Sequence, residues 1–435
     1  MSIKDNFPSV GPSLSLNFAR SKILDPRITF SRTSVGTYMD GNGLIVTGSA
    51  DEPRFDHEYE NDVVKSLGLL VEESRENLVD YSESFDSWNS GNVDIGINTT
   101  TAPDGTQNAD SLIERDQNYT GGAYRRKSVS IGSAYSGQLT YSVFLKSAEV
   151  TTVGLIIDIP ELSDPRANVN LTSSTTSGSG TNSTYIVESF PNDWKRVSLT
   201  TTNSLSSYTG SFVVALYLNG YVGFDNTGNS GDKVFVWGAQ LEKGAFPTSY
   251  IPTSGSTLTR TADNVSMTGT NFSDWYNQEQ GTMVWVGNVY SKELSPVQPF
   301  RINRTDGGNL RGMAIQFDTR SVNNTVNFMS RTQSSNIPSK VGPTGVIPSD
   351  NKIKIAGGYI ESVGLSTLRA AFNGLPAASY SGASQTDIVD GAMNELEIMY
   401  NRGTSGSNIQ FTGVCEQLVY YPKIFTDTQL QNLTK

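Results

Sequence analysis

Residues 195–218 have the sequence KRVSLTTTNSLSSYTGSFVVALYL, and this stretch decides the predicted fold class. Two segments rich in β-branched and aromatic residues, 195–201 and 211–218, are separated by a run of Ser, Thr, Asn and Gly. β-branched and aromatic side chains favour strands, whereas the separating residues favour turns. The stretch therefore predicts two short strands and no helix.

The same pattern continues on both sides of this stretch. Further strands are predicted at 141–146, 152–159, 184–188 and 233–241. The segment 172–182 consists almost entirely of Ser, Thr and Gly, and it is predicted to be a loop. Short strands at this spacing are typical of a sandwich or a jelly roll.

Strands are also predicted before and after this region. The N-terminal ones are at 14–18, 28–32 and 66–71, with a hairpin turn at 40–43. The C-terminal ones are at 281–289, 313–317, 325–331, 353–359, 367–373, 396–400 and 413–421. Asn373-Gly374 is a hairpin signal, and Thr426 can cap a short helix that carries Leu430 and Leu433.

The predicted fold class is all-β, with tandem antiparallel β-sandwiches preceded by an N-terminal docking segment. Its divisions are an arm and docking segment of short strands at 1–90, a jelly roll at 91–255, a linker at 256–275 and a second sandwich at 276–435. The sequence contains one short internal repeat, since 29–33 and 257–261 share the pattern Thr-x-x-Arg-Thr. We expect these two copies to pair as equivalent edges of the fold.

Composition argues against nucleic-acid binding. The formal charge is −11, and Arg125-Arg126-Lys127 is one short basic cluster, which we interpret as a solvated strand end. Nucleic-acid binders need clustered Lys and Arg to neutralise phosphates. Membrane insertion is not expected either, since residues 1–12 are polar and no apolar run approaches the roughly 20 residues of a membrane span.

The residues that carry catalysis are scarce. The chain has one Cys and one His, Cys415 and His57, far apart in sequence. Cys415 lies in an alternating segment that predicts a small core residue, and His57 is expected to be structural or surface-exposed. Glu395 and Glu397 alternate along a predicted strand and point to one face, as the catalytic acids of a glucanase do. A glucanase strand would carry a third acid further along, and this one does not. We therefore interpret the two residues as a solvated strand face. We expect no enzyme activity.

Two long stretches carry a resemblance to a known family. The first contains LNFAR (16–20), LDPRITFSR (24–32), GTYMD (36–40), PRFDH (53–57), SLGLLVEESREN (66–77) and YSESF (81–85); the second contains WGAQLEKGAFPTSYIPT (237–253) and LTRTAD (258–263). Together they resemble a family of bacteriophage virion proteins, the tail-fibre or particle-surface proteins of marine and cyanobacterial phages. The C-terminal FNG (372–374) and LVYYPKIFTDTQL (418–430) resemble a laminin-G or concanavalin-like lectin domain.

The resemblance implies a function. The region 91–255 would be a jelly roll of the carbohydrate-binding-module type, and the protein would be made in the host cytoplasm and reside in the virion. Its partners would be other virion proteins, copies of itself in a trimer, and host surface polysaccharide or lipopolysaccharide. The alternatives are a decoration or connector protein without glycan binding and a polysaccharide depolymerase.

Sugar binding needs aromatic platforms beside polar side chains, since a pyranose has apolar faces and a rim of hydroxyls. The candidates on predicted loops or edges are Trp88, Tyr119, Tyr124, Tyr208, Tyr221 and Trp275, whereas Trp194, Trp237 and Trp285 are predicted to be core residues. No cofactor or metal is expected. Asp158, Asp225 and Asp318 could ligate calcium, but they form no EF-hand loop, and strand 235–241 lacks the carboxylates that such modules use.

The N-terminal arginines are a separate group. Arg20, Arg27, Arg32, Arg54 and Arg75 lie among short strands beside Asp25, Asp40, Glu52, Asp56 and Glu72. They could form bidentate pairs that lock this segment onto the jelly roll, or they could contact a neighbouring subunit. We favour the intramolecular arrangement.

Overall fold

The structure is a computed structural model. It describes residues 8–115, 122–162, 165–180, 182–221, 229–290, 297–304, 311–318, 325–331, 339–341, 352–362, 365–382, 393–402, 408–410 and 412–435. Within these residues the chain is mainly antiparallel β-sheet, which confirms the predicted fold class. The helices in the described part are short: α1 (Phe18–Ser21), α2 (Thr270–Ser273), α3 (Asp427–Leu433) and the 3-10 turn Phe85–Ser87.

The strands follow the chain in three groups. The first group is β1 (Leu14–Asn17), β2 (Thr29–Ser31), β3 (Gly36–Met39), β4 (Ile45–Gly48), β5 (Arg54–Glu60), β6 (Val63–Val71) and β7 (Arg75–Asn77). The second group is β8 (Asn89–Gly91), β9 (Val93–Thr100), β10 (Ala109–Glu114), β11 (Tyr124–Ser130), β12 (Tyr135–Gly137), β13 (Leu139–Ser147), β14 (Thr152–Asp158), β15 (Arg166–Asn170), β16 (Thr175–Ser179), β17 (Ser183–Ser189), β18 (Trp194–Thr201), β19 (Leu205–Tyr208), β20 (Ser211–Leu218) and β21 (Lys233–Lys243).

The third group completes the chain. It is β22 (Leu258–Arg260), β23 (Asn264–Thr268), β24 (Gln280–Val289), β25 (Val297–Arg304), β26 (Arg311–Asp318), β27 (Thr325–Arg331), β28 (Ser339–Val341), β29 (Lys352–Ser362), β30 (Leu365–Phe372), β31 (Ala378–Gly382), β32 (Glu395–Ile398), β33 (Tyr400–Arg402), β34 (Asn408–Gln410) and β35 (Gly413–Tyr421).

The first sandwich is built from two antiparallel sheets of the second group. One sheet has the strand order β17-β18-β13-β21-β10-β9, and the other has the order β16-β15-β14-β20-β11-β8. Alternate residues of each strand point inward, so that Tyr141, Leu155, Val197 and Leu216 are buried together between the sheets. This burial, with period two along each strand, is what the alternation in the sequence predicts.

The second sandwich combines strands from both ends of the chain. Its first sheet has the order β31-β30-β29-β24-β35-β6-β5, with β1 also paired to β35, and its second has the order β2-β23-β32-β25-β26-β27-β28. Trp285, Ile355, Leu396 and Leu418 are buried between them, together with Cys415. The burial of Cys415 confirms the prediction of a core residue and raises the pKa of its thiol.

The N-terminal strands therefore pair within the chain. β1, β2, β5 and β6 lie in the sheets of the second sandwich, while β7 pairs with β22. The hairpin β3-β4 packs Met39 and Ile45 against Phe144, Trp194 and Trp237 on the outer face of the first sandwich sheet that contains β13, β18 and β21. We name this sheet the covered sheet. The division of the chain into four domains stays a prediction.

Several local predictions are confirmed. Strands β20 and β35 have the predicted bounds, and β30 and β31 flank Asn373-Gly374. Thr426 caps α3 in a capping box with Gln429, and Leu430 is buried. The three tryptophans predicted for the core, Trp194, Trp237 and Trp285, are buried.

Two local predictions are wrong. Part of the predicted loop 172–182 is strand β16, which pairs with β15 after a turn in which the Asn170 side chain accepts the backbone N–H groups of Thr172 and Ser173. A polar Ser- and Thr-rich segment can form an edge strand, because Thr is β-branched and an edge needs no apolar face. The strands of the two Thr-x-x-Arg-Thr copies also pair with other strands, β2 with β23 and β22 with β7. The two copies meet at their ends, where the hydroxyls of Thr33 and Thr261 bond at 3.2 Å.

A buried charge cluster joins the N-terminal strands to the segment after the first sandwich. Arg54 donates to Glu72 at 2.7 Å and to Asp263 at 2.6 Å, and Arg32 donates to the other oxygen of Asp263 at 3.0 Å. Arg260 lies 3.3 Å from Glu72. We call Arg32, Arg54, Arg260, Glu72 and Asp263 the buried charge cluster. The prediction of intramolecular pairs is confirmed for Arg32 and Arg54.

The remaining N-terminal arginines differ in their partners. Arg27 pairs with Asp25 at 2.8 Å, as predicted for a bidentate contact. Arg75 pairs with Glu73 and stacks on Phe246. Arg20 is exposed and forms no ion pair within the described part of the chain. The buried charge cluster therefore links the N-terminal strands ionically to the segment that follows the first sandwich.

Candidate functional site

The candidate site lies on the outer face of the first sandwich sheet that contains β11, β20, β14 and β15. We name this sheet the open sheet. Along β20, Phe212, Val214, Leu216 and Leu218 point into the core, so Tyr217 points outward. On the neighbouring strands, alternation likewise directs several polar side chains to the outside, including the exposed residues Arg126, Ser128, Ser130 and Asp158.

Five side chains on this face form a continuous row in which each group contacts the next. The guanidinium carbon of Arg126 lies 5.4 Å from the centroid of the Tyr124 ring, and the Tyr124 and Tyr217 centroids are 5.1 Å apart. The Tyr217 and Tyr221 centroids are 5.2 Å apart, and the guanidinium carbon of Arg166 lies 5.0 Å from the Tyr221 centroid. These distances are within the usual ranges of aromatic and cation–π contacts. We call these five residues the Tyr–Arg row.

Two glycines allow the row to form. Gly91 pairs with Tyr124 across β8 and β11, and a Cβ atom at Gly91 would lie 2.5 Å from the Tyr124 ring. A Cβ atom at Gly154 would lie 2.7 Å from the backbone N of Tyr221. The ring of Tyr124 and the backbone of Tyr221 can therefore approach the sheet closely only because neither glycine has a side chain.

The backbone of Tyr221 is held in place by one side-chain amide. Its N–H donates to Oδ1 of Asn168 at 2.7 Å, and Nδ2 of Asn168 donates to its carbonyl oxygen at 3.2 Å. Asn168 thus replaces the ladder hydrogen bonds that a neighbouring strand would supply. This contact fixes Tyr221 over the open sheet instead of leaving it beyond the end of β20.

The two arginines lie at the ends of one cross-strand line. Register places Arg126 opposite Ala215, Ala215 opposite Ile156, and Ile156 opposite Arg166. Three strand spacings separate the two arginines, which corresponds to about 14 Å between their backbones. The side chains of Ala215 and Ile156 form a shallow apolar floor between them. Two guanidinium groups and a line of tyrosine rings therefore surround a surface wide enough for one or two sugar rings.

The surroundings of Tyr217 keep its phenol neutral. Burial, followed by the nearby phenols of Tyr221 and Tyr124, raises the pKa of Tyr217 to about 12, and the charge of Arg126 opposes this shift only in part. At neutral pH the Tyr217 hydroxyl can therefore donate a hydrogen bond as well as accept one. Among the described residues Arg126 forms no ion pair, and Asp158 lies further along the same face. The arrangement suits a ligand that has apolar ring faces and hydrogen-bond acceptors.

The row includes two of the six aromatic candidates, Tyr124 and Tyr221. Trp88 and Trp275 are 2% and 4% exposed, and their indole N–H groups donate to the carbonyls of Tyr81 and Asn271. Tyr208 is 8% exposed and donates its hydroxyl to the Ser211 carbonyl at 2.7 Å. Tyr119 lies outside the described residues. Burial leaves little of three rings for a ligand, and sugar contact at all six stays a prediction.

Sequence reasoning missed three members of the row: Tyr217, Arg126 and Arg166. Tyr217 belongs to a predicted strand, and the alternation of that strand already marks it as an outward residue. The basic triplet divides into three roles. Arg125 is buried and donates to the Trp88 carbonyl at 2.8 Å, Arg126 stacks on Tyr124, and Lys127 pairs with Asp80 at 2.9 Å. The interpretation as one solvated strand end is therefore wrong.

A cavity lies where the N-terminal strands meet both sandwiches. Its volume is about 480 Å³, and its wall includes Tyr38, Asp56, Phe190 and Phe246. Asp56 accepts the backbone N–H of Met39 at 2.9 Å. Burial raises the pKa of Asp56 to about 7, and the hydrogen bonds from Met39 and His57 limit that rise.

The residues considered for catalysis are dispersed. Nδ1 of His57 lies 2.9 Å from the Met39 carbonyl, and burial, the main influence, lowers the pKa of this imidazole. The side chain is buried, consistent with the predicted structural role. Glu397 is only 6% exposed and accepts a hydrogen bond from Asn303, so the interpretation of a solvated face is wrong for this residue. Arg301 and Ser266 stand opposite it in register.

In the described ranges, no group of three or more His, Cys, Asp and Glu side chains is placed to hold a metal ion. Of the calcium candidates, Asp158 is exposed at the end of β14, Asp318 ends β26, and Asp225 lies outside the described residues. No described helix has the length and apolar character needed to cross a membrane.

Comparison with known proteins gives distant structural likenesses only. No family model and no curated protein matches the chain. The CBM40 of Ruminococcus gnavus IT-sialidase bound to alpha2,3 sialyllactose is 15% identical, with a TM-score of 0.30 over 37% of this chain and 84% of that one. Domains LG4-5 of the mouse laminin alpha1 chain are 8% identical, with a TM-score of 0.21 over 69% and 89%.

A third solved structure covers nearly the whole chain. Trypanosoma rangeli sialidase in complex with the inhibitor DANA is 9% identical, with a TM-score of 0.25 over 98% of this chain and 97% of that one. At these scores the likenesses carry no argument about function.

Proposed function

We propose that this chain is a carbohydrate-binding protein and that it binds glycan on the Tyr–Arg row. One observation carries the proposal: three tyrosine rings and two guanidinium groups form one row on the partly exposed outer face of a rigid sheet. The apolar face of a pyranose can stack on a tyrosine ring, while phenol and guanidinium groups bond to its hydroxyls. A site on strands also needs little ordering when a ligand binds.

We further propose that the protein acts on the surface of a bacteriophage particle, where it attaches the particle to host polysaccharide or lipopolysaccharide. The support is the sequence resemblance carried by 16–85 and 237–263. A trimer would present several copies of the row, and linked weak sites gain strength from a high effective concentration. The proposed role is binding without catalysis, since His57 bonds to backbone and Cys415 is in the core.

Glycan binding is tested with the purified full chain. A glycan array selects a ligand, and titration calorimetry measures its Kd for the wild type and for Tyr124→Ala/Tyr217→Ala. We expect the double variant to bind at least tenfold more weakly, because a contact with an aromatic ring contributes on the order of 1 kcal/mol and two rings are removed. Tyr217→Phe, which keeps the ring, should retain most of the affinity.

The matched control is Tyr185→Ala, since Tyr185 is an exposed tyrosine on β17 of the covered sheet. Thermal unfolding verifies that each variant is folded. Absence of binding to every glycan, or an equal loss in the Tyr185 variant, would contradict the proposed site.

The virion role is tested with point variants, because β1, β5 and β6 belong to a sheet of the second sandwich and a C-terminal deletion would remove their partners. Particles carrying Tyr124→Ala/Tyr217→Ala should assemble normally and adsorb to host cells more slowly. Failure to assemble would favour the connector alternative. Absence of the protein from purified particles would refute a virion role altogether.

A further inference from the structure

We propose that the Tyr–Arg row selects a negatively charged glycan, one whose sugar units carry carboxylate or sulfate groups. This inference rests on the proposed function and names the ligand class of the same site. It starts from Arg126, an exposed arginine that has no ion pair among the described residues of a chain with a formal charge of −11.

Ion pairs are common among the described arginines of this chain. Arg27, Arg75, Arg115 and Arg369 all lie beside a carboxylate, as do the arginines of the buried charge cluster. Arg126 is instead placed over the face of Tyr124. An acidic chain that keeps an exposed guanidinium on a ring and away from carboxylates has positive charge available for an external anion.

The geometry directs that charge toward a bound ring. A guanidinium that stacks on a ring keeps its N–H groups in its own plane, where they can bond to a ligand in bidentate fashion. Arg166 occupies the same cross-strand line beyond Ala215 and Ile156, at the opposite edge of the floor. A sugar on this floor would have a guanidinium at either end.

The charged neighbours of Arg126 on these strands leave its guanidinium without a carboxylate partner among the described residues. Lys127, next to Arg126, already pairs with Asp80. Asp158, the carboxylate described on this face, stands opposite Val213 and forms no ion pair with Arg126. Because the whole chain is acidic, an anionic polymer would be repelled by most of the surface, and attraction would depend on the row itself.

The test uses two pairs of polymers that differ only in charge: dextran sulfate against dextran, and polygalacturonate against its methyl ester. Biolayer interferometry measures binding of the full chain to each polymer. We expect the wild type to bind the charged member of at least one pair about tenfold more tightly, and the pair that responds identifies sulfate or carboxylate as the recognised group. Arg126→Ala should remove this preference, while Arg126→Lys should keep part of it.

Arg20→Ala is the matched control, since Arg20 is exposed and lies on α1, which packs against β6 and β35 of the second sandwich. Equal loss in this variant would mean non-specific attraction and would overturn the inference. Equal binding of charged and neutral members, with both lost in Tyr124→Ala/Tyr217→Ala, would also overturn the inference and leave glycan binding intact. Absence of binding to all four polymers and to the glycan array would contradict both proposals.

Discussion

Two sets of arginines in this molecule have opposite surroundings. Arg32 and Arg54 of the buried charge cluster are fully buried and bond to carboxylates at 2.6 to 3.0 Å. Arg126 of the Tyr–Arg row is exposed and contacts a ring. Burying a guanidinium costs desolvation, which its carboxylate partners offset in the cluster, whereas exposed Arg126 has no such cost to offset. The ion pairs of Arg32 and Arg54 therefore serve the fold, while Arg126 contributes little to it.

The buried charge cluster also explains why distant segments of the chain belong together. Asp263 accepts bonds from Arg32 and Arg54, and it also accepts the backbone N–H of Glu72 at 2.8 Å. Its position thus connects three N-terminal strand regions to the segment that follows the first sandwich. The segments that carry the virion-family resemblance supply every member of this cluster.

The largest expected effect separates the two sets directly. Arg54→Leu leaves Glu72 and Asp263 buried without their shared partner, and we expect a loss of about 3–5 kcal/mol in the free energy of unfolding. Arg126→Ala should change it by less than about 0.5 kcal/mol, as is usual for surface substitutions. Urea unfolding followed by Trp fluorescence measures both. Similar losses in the two variants would remove the distinction between the sets.

A second prediction concerns the acid dependence of the buried charge cluster. Burial alone would raise the pKa of Glu72, but the charges of Arg260 and Arg54 and hydrogen bonds from Ser249 outweigh it and lower the pKa to about 2. A depressed pKa contributes stability that is present above the unfolded value near 4.5 and is lost as pH falls toward 2.

Glu72→Gln should therefore cost about 2 kcal/mol of unfolding free energy at pH 7, in the range of hydrogen bonds to charged groups, and the difference from wild type should shrink between pH 4.5 and 2. Urea midpoints measured over this range give the result. A difference that stays constant with pH would mean that the ionised carboxylate is not what stabilises the cluster.

A third prediction concerns Asp56, a carboxyl that, unlike Glu72, has no described arginine bonded to it. Because burial raises the pKa of Asp56 to about 7, the folded state retains a proton that the unfolded state releases above pH 4. The stability associated with this group is present below pH 4 and decreases as pH rises toward 7. Asp56→Asn should gain stability relative to wild type over that interval, as measured by Tm.

The control for this variant is Asp274→Asn, because Asp274 is exposed and lies far from the cavity. Its Tm difference from wild type should not change with pH. A flat difference for Asp56→Asn would show that the hydrogen bond from Met39 is sufficient to keep this carboxylate ionised.

The smallest expected effect is the response to salt. Exposed charges are screened at about 8 Å in 0.15 M salt, whereas buried pairs are screened much less. Raising NaCl from 0.05 to 0.5 M, roughly a threefold shorter screening length, should weaken binding of an anionic polymer to the Tyr–Arg row several-fold. The wild-type and Arg54→Leu unfolding midpoints should keep their difference. A polymer affinity that is independent of salt would argue against Arg126 as its contact.

The confirmed sequence predictions are those that depend on neighbouring residues. Alternation within 211–218 identifies β20 and its inward side chains, and Thr426 with Gln429 identifies the capped C-terminal helix. The incorrect predictions concern which strands pair with each other and what packs against them. The edge strand β16 has no apolar face to mark it, and the burial of Glu397 depends on what packs against its strand.

The candidate site shows the same limit. Tyr124 and Tyr221 were predictable as surface aromatic residues near strand ends, and Tyr217 could have been found from its outward position in β20. That these three rings meet could not be predicted, because the contact requires β11 beside β20 and Asn168 of β15 bonded to Tyr221. Strand order is a long-range property that local alternation does not encode.

The sequence by itself determined the all-β class, the turns, the core tryptophans and the acidic charge, since each follows from side-chain chemistry within a few neighbouring positions. Tertiary structure alone decided which arginines became structural. Arg32 and Asp263 are 231 residues apart in sequence and bond at 3.0 Å, whereas Arg126 faces outward on an open sheet. The physical reason is that burial and partner choice depend on which strands become neighbours, and only the folded sheets bring those strands together.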